Sequence, residues 1–439
     1  MIGRVAWLLA RPGTTGVAAT ALPVAAFAIV TALLLTVLGG AQTFWTWTDE
    51  WAVTYQALAV IALVLLVVPL ASLGGAAARL SARRRDDRLA TLRLLGATPA
   101  TVSALAVIES AALAAVGAVV GVALYVALVP ALALIPFRGE ALGVEGVLLG
   151  WAALVGVPVG VVLLAVVSAV LGLRLVVISP LGVRTRQDAP KLHWLRAAVA
   201  LVVVALGAGL MAVLQVAASA LMILGMLALA FGGALAVQNL VGPWVIRLVA
   251  QAQARSAKTP AKLLAARAVL ESPKAAWRQV SGVAMTSFMA VFAGSGLAVV
   301  SSLGEGVPDR ESELLLADIR TGILITVIGS FLMVACSVGV NQASAILDRR
   351  DLHEALGRLG MPVDVADAAR RRSVMSPLRV TAIGSALTAA VVMLPLTGIA
   401  LIVAPVSLLV IAAVLAAGIG VVWLGLLATR PLLVRVAAS

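Results

Sequence analysis

Few side chains in this sequence are equipped for covalent or acid–base chemistry. It has two histidines, His193 and His353, and one cysteine, Cys336. That set excludes a disulfide within the chain, a cysteine metal site and a histidine metal cluster. No G-x-x-x-x-G-K-[ST] phosphate loop occurs, nor a G-x-S-x-G or H-E-x-x-H pattern, so standard nucleotide binding and the common hydrolase chemistries are not expected. Two sets of acids remain. Glu109, in AVIESAAL, is the one acid well inside an apolar run, where an ionisable group invites a functional reading. It either pairs with a nearby arginine or caps a helix end, or it serves as a proton or substrate site. The segment GEGVPDRESELLLAD, 304–318, carries Glu305, Asp309, Glu311 and Glu313. It reads as a solvated loop or as an attractor for a cationic or amphiphilic substrate.

The elements that must hold these residues are apolar. Of 439 residues, 62% are hydrophobic and 12% charged, about half the charge of an ordinary soluble domain. Runs long enough to cross about 30 Å of hydrocarbon as helices recur along the chain. They are continuous rather than alternating, which argues against a β-barrel. The fold class expected is all-α and polytopic, with about ten spans: 16–40, 55–78, 102–135, 146–173, 196–216, 219–246, 279–302, 320–345, 378–399 and 404–428. The first follows Arg4 and Arg11 as a signal peptide would, but it is too long for an h-region and reads as a retained helix.

Charge sets the orientation. With ten spans, one side receives both termini and 79–101, 174–195, 247–278 and 346–377. The other side receives 41–54, 136–145, 303–319 and two tight turns. Of 32 basic residues, all but Arg138, Arg310 and Arg320 fall on the first side. The second side holds Asp49, Glu50, Glu140, Glu145, Glu305, Asp309, Glu311, Glu313 and Asp318. The positive-inside rule makes the first side cytoplasmic. The same placement, in short loops beside spans, explains the net charge of +13 without nucleic acid. Trp45, Trp47 and Trp51 flank the first outer loop as an interfacial belt, with substrate stacking as the alternative. Gly117-x-x-x-Gly121 and Gly156-x-x-x-Gly160 permit close helix packing.

Two cytoplasmic stretches resemble each other: RRRDDRLATLRLLGATP, from Arg83 to Pro99, and DRRDLHEALGRLGMP, from Asp348 to Pro362. Arg84-Arg85-Asp86 aligns with Arg349-Arg350-Asp351, and Leu95-Gly96 with Leu359-Gly360, with one residue of slip. RVAWLLARP, from Arg4, and RAVLESP, from Arg267, each lead into a span. Spans 1–4 and 7–10 are therefore expected to be two parallel copies of one four-helix unit, joined by two linking helices. The boundaries are 1–190, 191–255 and 256–439. Each repeated stretch suits a short helix, with Leu89, Leu92 and Leu95, or Leu352, Leu356 and Leu359, on one side. Gly96 and Gly360 are the C-cap candidates, with Pro99 and Pro362 beyond. Such a basic helix is a solvated loop, a lipid-surface helix or a docking element.

These residues resemble the FtsX-like permease family of ABC transporters. That family carries a basic stretch after the second helix of a four-helix unit, running into a leucine-rich helix that ends in Leu-Gly-Ala. Here that is RRRDDRLATLRLLGATPATV, 83–102. Glu109 fits the glutamate near the cytoplasmic end of the following span, and VISPLGVRTR, 177–186, the Ser-Pro pair that closes the unit. The second copy departs: Met361 replaces the alanine, no acid matches Glu109, and the next span contains Pro377 and Arg379. The large external domain that many members carry has no counterpart here.

The resemblance implies two coupling helices that dock on a separate ATPase. The first would use Arg84, Arg85, Asp86, Leu89, Leu92, Arg93, Leu95 and Gly96. The second would use Arg349, Arg350, Asp351, Leu352, Leu356, Arg358, Leu359 and Gly360. It implies two ATPase subunits per chain, with ATP and Mg on those partners and no cofactor on this chain. It further implies a multi-pass subunit of the bacterial cytoplasmic membrane, not itself an enzyme, that exports or extracts a hydrophobic or amphiphilic compound, as in antimicrobial or peptide resistance. The alternative is ATP-driven mechanotransmission to an external partner with nothing translocated.

Overall fold

The computed structural model describes residues 18–49, 51–83, 98–177, 195–212, 220–303, 310–348, 355–394, 397–398, 405–430 and 434. Among the described residues ten helices of 18 residues or more occur, one on each predicted span. They are α1 (Ala18–Gln42), α2 (Ala52–Arg83), α3 (Pro99–Leu132), α5 (Trp151–Val177), α6 (Leu195–Ala212), α7 (Ala220–Arg255), α9 (Pro273–Leu303), α10 (Arg310–Asp348), α11 (Val363–Val392) and α12 (Pro405–Ala428). Two shorter helices, α4 (Gly143–Val147) and α8 (Pro260–Glu271), and a two-stranded hairpin, β1 (Pro136–Phe137) with β2 (Glu140–Ala141), complete the elements. Seven of the helices are long and apolar enough to cross a membrane, and the protein is membrane-embedded. Helix is the expected outcome because each residue then satisfies its backbone within its own segment.

Proline marks several starts, where its missing N–H costs nothing. Pro99 opens α3 behind Thr98, whose hydroxyl accepts the Thr101 N–H at 3.3 Å, and Pro260 opens α8. Prolines also sit inside helices, at 23, 69, 130, 158, 243 and 377.

Several boundaries differ from the expectation. The span predicted from 146 begins at Trp151, after the separate turn α4, because Leu148 is extended (ψ 116°). The Tyr125 hydroxyl fastens that break: it donates to the Val147 carbonyl at 2.6 Å and accepts the Leu149 N–H at 3.1 Å. The predicted connection 247–278 is almost wholly helical, since α7 runs on to Arg255 and α8 follows. Charged residues mark where a helix leaves lipid, not where it ends. For the same reason α10 already starts at Arg310, inside the predicted loop 303–319.

Contacts divide the chain into two units, 1–187 with 340–348, and 188–339 with 349–439. In the first, α1 and α3 cross at glycine. A Cβ on Gly117 would lie 2.6 Å from Phe27 Cβ and 2.7 Å from the Val24 oxygen, and one on Gly121 2.6 Å from the Ala28 oxygen. Gly156 and Gly160 differ: nothing lies within 4 Å of a Cβ at either, so only the first glycine pair packs two helices of this unit. Leu35, Tyr125, Val129 and Leu149 form the core beyond the crossing. In the second unit the core joins Ala230 and Ala234 of α7, Phe288 and Val291 of α9, and Ala389 and Val392 of α11. Phe231, Phe288 and Phe292 contact one another there.

The alignment of Leu95 with Leu359 is a shift of 264. Under that shift α3 and α11 bury the same positions: Ala114, Gly117, Ala118, Gly121, Tyr125 and Val129 against Leu378, Thr381, Ala382, Ser385, Ala389 and Met393. Ala115, Val119, Val120 and Ala123 are exposed, as are Arg379, Ile383, Gly384 and Leu387. One face differs. Ala112 and Leu128 are exposed, whereas their counterparts Ser376 and Val392 contact Gln253 of α7 and pack near Gly207 of α6.

Candidate functional site

The second basic stretch leads into α11 through a short helical segment, 355–358. It ends as its sequence requires. Gly360 takes φ +84°, the Gly360 N–H bonds the Gly357 oxygen at 2.9 Å, and the Met361 N–H bonds the Leu356 oxygen at 3.0 Å. That is a Schellman cap with glycine at its left-handed position. Pro362 then stops the segment and is the N-cap residue of α11. Arg358 and Gly360 are exposed and Leu356 half-buried. Leu359 is 83% exposed, a large apolar side chain presented at the tip of the turn beside Arg358. Arg349, Arg350, Asp351 and Leu352 lie outside the described residues. So does all of the first set: Arg84, Arg85, Asp86, Leu89, Leu92, Arg93, Leu95 and Gly96.

Directly above this turn α11 carries an ion cluster. The Asp367 side chain is 2% exposed and lies 2.8 Å from Arg370 Nη2, 3.1 Å from Arg371 Nε and 3.8 Å from Arg430 Nε. Arg370 also donates to the Thr429 hydroxyl at 2.6 Å and the Leu426 oxygen at 3.2 Å, at the end of α12. Arg430 reaches Asp364 at 3.2 Å. The cluster ties the first turns of α11 to the last turn of α12, so the two helix ends are held together. A buried carboxylate is tolerated because three guanidinium groups surround it. Asp-x-x-Arg-Arg at 367–371 is an i, i+3, i+4 pattern on a helix that sequence reading passed over as loop.

Glu109 sits ten residues into α3, half-buried. Neither the arginine pair nor the helix cap expected of it forms among the described residues. Glu311 and Glu313 stand in the first turn of α10, where the helix dipole favours acids. Both are exposed, and Glu305 and Asp309 lie outside the described residues.

One end of the first unit, around the β1–β2 hairpin, is a cap without a motif in the sequence. Arg138 and Gly139 have φ +55° and +80°, a two-residue turn with both centres left-handed, as a β-hairpin requires. The turn aims the Arg138 guanidinium over the Trp47 ring, 3.8 Å from its centroid, and over Tyr55 at 4.6 Å. Asp49 pairs with it at 3.0 Å. Phe44 packs against Trp47, Tyr55 and Phe137. Gln42 and Thr43 donate to the Gly146 oxygen at 2.9 and 2.8 Å, which fixes α4 beneath the cap. Trp47 is thus held by an arginine of its own chain, while Trp45 is half exposed. Exposed tryptophan at a span end fits the interfacial belt.

No curated protein matches the chain in sequence. Residues 60–181, which take in most of α2, all of α3 and α5, and the first basic stretch, match the family model for the FtsX-like permease C-terminal domain, a family of membrane permease subunits of ABC-type systems.

Proposed function

We propose that this chain is the membrane subunit of an ABC transporter in the bacterial cytoplasmic membrane, with both termini cytoplasmic. It docks two ATPase subunits through 84–96 and 349–360, hydrolyses no ATP itself, and moves a hydrophobic or amphiphilic compound that it takes from the bilayer. The family match over 60–181 supports the permease part. The docking part is carried by one observation: the glycine-capped turn at 355–360 that presents Leu359 to solvent. An exposed apolar anchor on a rigid turn is the form that a docking residue takes. The turn runs straight into α11, so force applied there reaches the membrane through a single helix. The two basic stretches, 84–86 and 349–351, together with the shared burial register of α3 and α11, support two units in one chain and hence two ATPase sites.

The test is co-purification with a candidate ABC ATPase subunit from the same organism. Leu359→Glu should leave expression and membrane insertion intact and lower ATPase stimulation by about tenfold or more, the effect of removing a docking anchor of roughly 2 kcal/mol. Normal stimulation in Leu359→Glu combined with Leu95→Glu removes the docking assignment. Uptake of a fluorescent amphiphile into inverted vesicles separates translocation from mechanical signalling.

A further inference from the structure

The seam between α7 and α11 carries more polar side chains than packing in a membrane interior requires. Gln238 of α7 is 8% exposed and accepts the Ser385 hydroxyl at 2.8 Å. Its amide nitrogen is buried and has no hydrogen-bond partner among the described residues. Thr381, one turn before Ser385 on α11 and 5% exposed, has a buried hydroxyl that is likewise unpartnered. Other helical threonines in this unit behave differently: Thr286, Thr326 and Thr388 each donate to the carbonyl four residues back. In the first unit the positions equivalent to Thr381 and Ser385 are Gly117 and Gly121, packed directly on the α1 backbone. The second unit has two hydroxyls there and a glutamine that reaches one of them. An idle donor and an idle hydroxyl in an apolar surround cost free energy. The idle Thr381 hydroxyl is accounted for if the contact has two positions.

We propose that the α7–α11 seam is a two-position hydrogen-bond register, in which α11 shifts outward by one turn against α7 and Gln238 exchanges Ser385 for Thr381. The two hydroxyls are four residues apart, about 6 Å along the helix, the size of a one-turn ratchet between packed helices. A second rung agrees in direction. Gln253 and Ser376 bond each other at 2.7 and 3.0 Å. Three residues earlier, the Ser373 hydroxyl is parked on its own helix at the Arg370 oxygen, 2.7 Å away, and takes Gln253 in the shifted register. At the seam itself Ala230 and Ala234 of α7 meet Ala389 of α11, while Phe288 and Val291 of α9 and Val392 of α11 lie in the same core and would have to repack in the shift. Pro377, between the rungs, removes one main-chain hydrogen bond from α11. The turn at 355–360 would drive the shift, so the driving force, though not the register, rests on the docking reading above.

The test uses the full chain in lipid nanodiscs, in a Cys336→Ser background, with spin labels at two lipid-facing positions, Leu240→Cys on α7 and Ile383→Cys on α11, 40% and 59% exposed. Pulsed dipolar spectroscopy should resolve two label distances. Removing the resting contact with Ser385→Ala should raise the minor population about three- to twentyfold, the range for one interhelical hydrogen bond in a membrane. Thr381→Val should lower it by a similar factor, and Thr381→Ser should restore it, which separates loss of the hydroxyl from misfolding. A single distance, unmoved by either change, overturns the register. With the ATPase bound, ATP and vanadate should shift the population to the Thr381 position. If the substitutions shift it and nucleotide does not, the register stands and the docking reading fails.

Discussion

Replacing glycine by alanine should act in opposite directions at Gly121 and Gly156, though both lie inside apolar helices. In a helix interior alanine is favoured over glycine by about 1 kcal/mol. At Gly156 nothing lies within 4 Å of the added methyl, so Gly156→Ala should be neutral or stabilise by up to about 1 kcal/mol. At Gly121 the methyl would meet the Ala28 oxygen and Thr31 Cβ, both at 2.6 Å. Ordinary contact needs about 3.5 Å, so α1 and α3 must part locally by roughly 1 Å. That separation loosens the neighbouring Gly117–Phe27 contact too. Overpacking of this kind costs about 1–3 kcal/mol, which exceeds the propensity gain. The two variants should therefore differ by about 1–3 kcal/mol once both terms are counted. Titration of the purified protein in mixed micelles with sodium dodecyl sulfate, followed by tryptophan emission, measures the difference directly. Equal shifts in both variants would refute the close crossing. Destabilisation at Gly156 alone would mean that its open face is covered by another chain.

Three further outcomes follow from the same contacts. Tyr125→Phe leaves the Val147 carbonyl and the Leu149 N–H without their shared hydroxyl and should cost about 1–3 kcal/mol in the same titration. Asp367→Ala strands the nearly buried Arg370 and should cost about 3–5 kcal/mol, while Arg430→Ala, half exposed, should cost less than about 1 kcal/mol; a reversed order would remove Asp367 as the hub. Neutralising Glu305, Asp309, Glu311 and Glu313 together should raise the concentration of a cationic amphiphile needed for half-maximal transport, and an unchanged value would leave these acids as helix-start and solvation residues only.

The long helices were legible because hydrocarbon permits a lone segment only one structure, so an apolar run of sufficient length is already a helix; of the ten predicted spans, seven carry a helix long and apolar enough to cross a membrane. Their ends were not, because nothing stops a helix on leaving lipid. Arg247 and Arg255, whose charge predicts a loop, lie in α7. The cap at Gly360 was legible, since Leu-Gly-x-Pro leaves few options for a chain that must stop and turn. The break between α4 and α5 was not: it depends on Tyr125, a residue more than twenty positions away. The cap over Trp47 was hidden for a similar reason. Its arginine occupies a left-handed turn position that favours glycine or asparagine, and only the aromatic and acidic groups gathered around it explain the choice.

Pro243 in α7 gives the second unit a mechanical property. The twelve residues after Pro243, through Arg255, continue the helix for about 18 Å, and proline is where long helices bend. A bend of about 15° there would carry the far end sideways by roughly 5 Å. Gln253 rides near the tip of that arm and grips Ser376. A tilt at Pro243 would therefore be felt at Ser376 as a pull across the axis of α11, not along it.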